Sequence, residues 1–264
     1  MKFFTKTIIN PYIFDNGYHN LCEIGAQYGN NTDEFLKLAP LAIDIIDPCL
    51  DADLGKKYQG SNRVQVHKGL SLEVLPLISG QFDCILIDGD HNWYTVYNEL
   101  KTIEKRGLLK PEGTIFLHDV SWPYGRRDMY YQPESIPKEF RNPCQQQALV
   151  RGQSKLHDST DHSETFSAVD EGGERNGVLT AIEDFLKENS DAYKFFFIEE
   201  EHGLGVLFKT TSTISNRVFH KHLARAKYRS GVHKLKDLAR HKFPALYSSL
   251  GELRSKVLKK LNKR

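Results

Sequence analysis

Side chains able to do chemistry gather at the ends of two apolar runs. The first reads Phe82-Asp83-Cys84-Ile85-Leu86-Ile87-Asp88-Gly89-Asp90-His91, and the second reads Gly113-Thr114-Ile115-Phe116-Leu117-His118-Asp119. Between them, residues 93–106 place Val96, Leu100 and Ile103 on one face, as a helix packed on a core does. A strand–helix–strand unit of this length is a right-handed crossover between parallel strands, so both carboxyl ends emerge on one sheet edge. Ligands of open α/β sheets bind along that edge. Oxygen and nitrogen ligands thus converge where chemistry is expected.

The rest of the chain supports such a sheet. Apolar runs end in polar punctuation at residues 21–24, 41–46, 64–66, 84–87 and 115–117, with helix-like segments between them. This alternation predicts an α/β, doubly wound, mostly parallel sheet. Residues 193–200, the turn at His202-Gly203 and residues 204–209 read as a hairpin that closes the sheet antiparallel. A chain of 264 residues that is 39% hydrophobic suits one large domain with appendages. No apolar run approaches the ~20 residues needed to cross a bilayer. Lys2 and Lys6 flank only Phe3-Phe4-Thr5, which gives no apolar core of a secretory signal. Cys22, Cys49, Cys84 and Cys144 lack zinc or CxxC spacing, and the expectation is a reduced, cytoplasmic protein.

The first strand delivers Glu23-Ile24-Gly25-Ala26-Gln27-Tyr28-Gly29-Asn30-Asn31-Thr32. Gly25 and Gly29 allow a tight turn and a close approach by a ligand at a strand-to-helix position that suits a nucleotide-like cofactor. Gln27 breaks the GxGxxG pattern of a pyrophosphate site. Asp47 ends the next strand about twenty residues on, where an acid can accept both hydroxyls of a ribose. A ribose-bearing ligand without a diphosphate describes S-adenosylmethionine, with Glu23 near its cationic part or orienting the loop. The plainer readings are a solvent-facing Glu23 and a turn-forming Asp47-Pro48.

In motif order, residues 18–120 resemble the class I S-adenosylmethionine-dependent methyltransferases. The glycine motif starts at Glu23, Asp47 is the ribose acid, and Gly69-Leu70-Ser71 is the loop near adenine. Ile87-Asp88-Gly89-Asp90-His91, Leu108-Leu109-Lys110-Pro111-Glu112-Gly113 and His118-Asp119-Val120 are similar, more narrowly, to the metal-dependent sugar and macrolide O-methyltransferases and their cephalosporin-hydroxylase-like relatives. The resemblance implies a magnesium or manganese ion held by Asp88, His118 and Asp119, with Asp88 also bordering the cofactor. His118 departs from the acidic pattern, and imidazole suits softer ions than magnesium. By the same resemblance Asp90 is the base, with His91 and His118 as rivals because imidazole titrates nearest neutrality. Helix capping is the structural alternative for Asp90.

Residues 121–175 form an insert over that edge, where Trp122, Tyr124, Arg126 and Arg127 are expected to bind substrate and a polar stretch at 145–173 to stay mobile until it does. Aromatic faces stack on sugar rings and Arg pairs with carboxylate or phosphate, which points to a glycan or another polar small molecule. The expected domains are a methyltransferase domain at 1–209, with 121–175 as its lid, and a basic helical extension at 210–264. Residues 209–264 hold 16 Lys and Arg against Asp237 and Glu252, a surplus of 14, which against a net +2 leaves residues 1–208 at about −12. Leu246, Leu250, Leu253, Val257 and Leu261 recur at helical spacing there. Such a helix lies on anionic lipid at the inner membrane surface, grips a partner protein, or packs on this domain or a second copy. Nucleic acid is disfavoured, because only charge argues for it. Three other functions remain open: a NAD-dependent sugar oxidoreductase or epimerase, a hydroxylase-like enzyme, and a non-enzymatic module tethered by the tail.

Overall fold

The computed structural model describes residues 1–38, 41–49, 52–156, 163–213 and 220–221. The chain divides into two units, Met1–Val218 and Phe219–Arg264, and the architecture below is that of the first. Its main sheet uses strands β1 (Asn20–Ile24), β2 (Ala42–Asp47), β3 (Val64–Lys68), β4 (Phe82–Ile87) and β5 (Leu109–His118). After three short insert strands, β6 (Met129–Tyr130), β7 (Cys144–Gln145) and β8 (Phe166–Ala168), it resumes with β9 (Tyr193–Ile198) and β10 (Leu204–Lys209). The strand order is β3-β2-β1-β4-β5-β10-β9. β1 to β5 run parallel, and β10 enters antiparallel between β5 and β9. This is the expected doubly wound, mostly parallel sheet of seven strands. Chain order reverses between β1 and β4, and that switch point is where such sheets open a ligand crevice.

β4 is buried at nearly every position because helices cover both faces of a parallel sheet, and its run of Ile and Leu reflects that. On one face lie α6 (Trp93–Arg106) and α7 (Val178–Glu188), whose Val96, Leu100, Ile103, Ala181, Ile182 and Phe185 join Ile85, Ile87, Ile115 and Leu117 in one core. α6 starts where the Asn92 side chain accepts from Thr95 N–H at 2.9 Å, and it stops at Gly107, whose φ of 62° is left-handed. The opposite face is covered by an N-terminal helical run that the sequence reading did not anticipate: α1 (Lys2–Phe4), a π turn (Thr5–Ile9) and α2 (Asn10–Asn16). It buries Phe4, Ile8, Ile9, Tyr12 and Ile13. Tyr12 hydrogen-bonds Thr114 at 2.8 Å and meets Phe116 edge-on. Strand alternation then puts His118 on that same face, with its ring 6.2 Å from that of Phe4.

The described residues of the insert form a second sheet, β6-β8-β7, and Arg127 bonds within the insert. That guanidinium donates to the carbonyls of Val169 at 2.9 Å and Ser154 at 2.7 Å, and also to that of Ala168. Residues 157–162 and nearly all of the expected tail helix lie outside the described residues.

Candidate active site

At the switch point the glycine turn is closed by its own chain. Gly25 has φ 81°, and a Cβ there would sit 2.3 Å from Cα of Gly89. The close approach that demands glycine is therefore made by the loop after β4 rather than by a ligand. Gly29, φ 72°, is pressed in the same way by the Tyr58 hydroxyl, which would lie 2.3 Å from a Cβ. Asp47 staples the turn: Oδ2 accepts from the N–H groups of Ala26 and Gln27, both at 2.9 Å, and Oδ1 from Cys49 N–H at 2.6 Å. Three of roughly four lone-pair sites on its carboxylate are thus committed to backbone. Glu23 is buried beneath the turn and accepts from the Thr32 hydroxyl, while its Oε1 has no hydrogen-bond partner among the described residues. Burial pushes the Glu23 carboxyl up to about 8, so it is mostly neutral at pH 7. Gly69 follows β3, its N–H donating to Asp47 O at 3.1 Å, and Ser71 opens the short helix at Ser71–Val74.

The cluster at the ends of β4 and β5 is of another kind. Ligand atoms of Asp88, His118 and Asp119 all lie within 4.8 Å of one another, so these residues could hold a metal ion. His118 Nδ1 is 3.0 Å from Asp88 Oδ1 and 2.9 Å from Asp119 Oδ2. His91 Nδ1 is 3.0 Å from the same Asp119 oxygen but badly aligned for donation, which leaves this buried nitrogen without a hydrogen bond. Asp119 takes a left-handed φ of 58°, a conformation that costs a non-glycine residue ~1 kcal/mol or more and is commonly kept where function needs it. His118 Nε2 lies 3.2 Å from Glu201 O and 2.9 Å from the Met1 amino nitrogen, so a ring with its proton on Nδ1 donates to the carboxylates and accepts from Met1 at Nε2.

The fields of these groups shift one another. Burial opposes charging His118, yet hydrogen bonds to Asp119 and Asp88 raise it to about 9. His91 is raised too, against burial, by the Asp119 and Asp88 carboxylates. Burial alone would raise Asp119, but the charge on His91, a hydrogen bond from His118 and the charge on His118 hold it well below the usual carboxylate range. The raised imidazoles of His91 and His118 thus bring positive charge to the Asp119 carboxylate.

Asp90 lies outside this cluster; its carboxylate accepts from Thr95 Oγ1 at 2.9 Å, and burial raises it. The helix cap is Asn92, not Asp90. Of the insert residues, Tyr124 and Tyr131 flank the His91 ring at 5.7 Å and 6.4 Å between centroids. Trp122 and Arg126 line a cavity of about 200 Å³ together with Glu171, Leu179, Phe197 and Glu199. Arg151 stacks over Trp122 at 5.1 Å, and Arg126 makes a two-pronged pair with Glu183 at 2.6 Å. Arg127 is a correction: only 2% exposed and bonded to insert carbonyls, it holds the insert together and is not free to grip substrate.

Two contributors escaped the sequence reading. The His202 ring stands 3.9 Å from Asp119 Oδ1, because β10 pairs with β5 in the register Leu204↔His118 and so lands the hairpin tip on the cluster. Asp128 is fully buried and accepts from Trp93 N–H and Gly177 N–H, both at 2.7 Å, from Tyr130 OH at 2.7 Å and from Asn142 at 2.8 Å. With the Met129 N–H donating to His91 O at 3.0 Å, it ties the insert to the loop that carries His91.

Known proteins match this part of the chain. Residues 22–120 match the family model described as a methyltransferase domain. O-methyltransferase hkm8 of Aspergillus hancockii is 30% identical over an alignment of 105 residues that covers 36% of this chain and 41% of that protein. The chain thus spans about two fifths of the curated relative that it matches. A Podospora anserina methyltransferase, PaMTH1, bound to S-adenosylhomocysteine aligns at TM-score 0.49 and 17% identity over 78% of both chains. An O-methyltransferase from Bacillus cereus aligns at TM-score 0.45 and 14% identity over 78% of this chain and 81% of its own. The matched residues 22–120 hold both the switch point and the strand-end cluster, so the similarity to a methyltransferase domain falls on the part of the chain that builds the candidate site.

Proposed function

We propose that the protein is an S-adenosylmethionine-dependent O-methyltransferase acting on a hydroxyl of a carbohydrate or another polar natural product, with help from a divalent cation. The observation that carries this reading is the contact of the glycine turn with the loop bearing Asp88, through Gly25 and Gly89, so that a donor seated on the turn would lie beside the cluster of Asp88, His118 and Asp119. The charged, partly unpaired donor set fits a cation. Asp88, His118 and Asp119 would hold it, and a bound cation lowers the pKa of a hydroxyl that it contacts.

Methyl transfer from a sulfonium is an in-line displacement. The acceptor oxygen bonds the methyl carbon, the carbon–sulfur bond breaks, and S-adenosylhomocysteine leaves as a neutral thioether. Holding both reactants in line contributes ~7–11 kcal/mol, so positioning is the dominant effect. The insert serves as the positioning wall: Tyr124 and Tyr131 border His91, and the cavity beside Trp122 suits a sugar ring. The hydroxyl proton passes to a neighbouring base, worth ~10² to 10⁴-fold. Asp90 suits that role, because burial raises its carboxyl toward the working range, and His91 and His118 are its alternatives. The basic residues after 209 suit an anionic membrane surface or a partner protein.

Calorimetric titration with S-adenosylhomocysteine and with NAD tests the reading. Binding of the former alone supports it, and binding of NAD alone replaces it with the oxidoreductase reading.

A further inference from the structure

The two edges of the main sheet are unlike. β3 carries Gln65, His67 and Lys68 among its five residues. β9, at the other edge, reads Tyr193-Lys194-Phe195-Phe196-Phe197-Ile198, with Lys194 as its one charge and no proline. Charges, prolines and bulges are what keep a free edge from pairing, and β9 has almost none of them. We infer that β9 is a pairing edge for a second copy of this chain, the two strands joining antiparallel about a two-fold axis at Phe197. The inference is independent of the proposed function.

The backbone sets the direction of that edge. Thr210 N–H donates to Ala192 O at 2.9 Å, and β9 pairs with β10 in the register Leu204↔Ile198. In an antiparallel ladder only alternate residues bond to a given neighbour, so Lys194, Phe196 and Ile198 turn their N–H and C=O groups toward β10. Those of Tyr193, Phe195 and Phe197 point the other way, and among the described residues they have no backbone partner. A second β9 laid antiparallel supplies partners for all of them, the commonest way for an exposed edge to recruit another strand.

The side chains fix the register. With the axis at Phe197, Lys194 stands opposite Glu200 of the partner subunit, and the symmetry makes that pair twice. Both residues fall at positions without ladder bonds, where opposed side chains approach most closely. Lys194 has no ion pair within its own chain among the described residues. An axis at Phe196 would keep the backbone bonds but set Lys194 against Ile198 of the partner subunit, so charge selects Phe197. On the other face Phe195 and Phe197 stack at 6.0 Å, and Phe197 is left 45% exposed. The pairing continues that stack into the second copy. Phe197 and Glu199 also line the cavity beside Trp122, so the partner subunit's Phe195, opposite Glu199, comes to stand at its rim.

Sedimentation equilibrium and amide hydrogen exchange on the full-length protein test the inference. The expected result is the mass of two chains at micromolar concentration, with the Phe195 and Phe197 amides protected in the dimer and exchanging on dilution. Lys194→Glu sets like charges against each other twice and should weaken the dimer about 10-fold, as should Glu200→Lys. Both substitutions together should restore it, which a folding defect in either variant would not do. A monomer at every concentration, a dimer whose Phe195 and Phe197 amides exchange freely, or no restoration in the double variant overturns the inference. Protection of those amides in a monomer overturns it too, and puts another segment of the same chain on β9.

Discussion

The glycine turn and the strand-end cluster touch through Gly25 and Gly89, yet they are built on opposite principles. The turn is saturated: Asp47 spends its oxygens on three backbone N–H groups, and the turn's glycines are filled by neighbouring chain. The cluster is unsaturated, with carboxylates crowded on imidazoles and His91 Nδ1 without a hydrogen bond. A saturated region gives a fixed shape against which a ligand can be seated. An unsaturated one stores demand that only a proton, a metal or a reacting group can meet. In the proposed function the first region seats the donor and the second carries the chemistry.

Substitutions can break that contrast, and the largest effect is expected in the cluster. Asp119→Ala should lower methyl transfer from labelled S-adenosylmethionine by about 10² to 10⁴-fold, read as label on a hydroxylated acceptor. Gly25→Ala attacks the turn by overlap, since the new methyl would lie 2.3 Å from Gly89 Cα at a positive φ. A loss of about 2–4 kcal/mol in urea unfolding is expected, together with weaker binding of S-adenosylhomocysteine. Wild-type stability in this variant would mean that the two loops do not press on each other.

Asp47→Ala removes the staple and leaves three N–H groups to find water; about 1–3 kcal/mol should be lost, by the same measurement. A smaller effect probes the core under both regions. Glu99 is fully buried, neither of its oxygens has a partner among the described residues, and burial raises its carboxyl to about 8 from an ordinary 4.5. The folded state therefore keeps a proton that the unfolded state has lost between those values, so its stabilising effect is full below pH 4.5 and gone above about 8. Glu99→Gln should match the wild type near pH 4.5 and exceed it by at least about 1 kcal/mol at pH 8, read from thermal unfolding at each pH. Parallel pH curves for the two proteins would show that Glu99 does not titrate there.

The same contrast explains what could be read from the chain alone. β4, α6 and β5 were legible, since a buried parallel strand needs a continuous apolar run and α6 carries its own cap and stop at Asn92 and Gly107. Asp88, His118 and Asp119 were legible as a group because strand ends on one edge must meet. The turn was legible in position but not in cause: that Gly25 yields to Gly89 is a contact between distant segments, invisible to spacing. His202 needed the register of an antiparallel strand, which a hairpin signal does not fix. Arg126 and Arg127 are adjacent and chemically alike, but one pairs with Glu183 at the cavity and the other is buried among carbonyls. Only the fold of the insert separates them.

The claim that two touching regions do separate jobs is tested most directly by S-adenosylhomocysteine calorimetry on Asp47→Ala and Asp119→Ala side by side. The account predicts that the first weakens binding and the second leaves it at the wild-type value. Wild-type affinity in Asp47→Ala, with loss in Asp119→Ala, would contradict it.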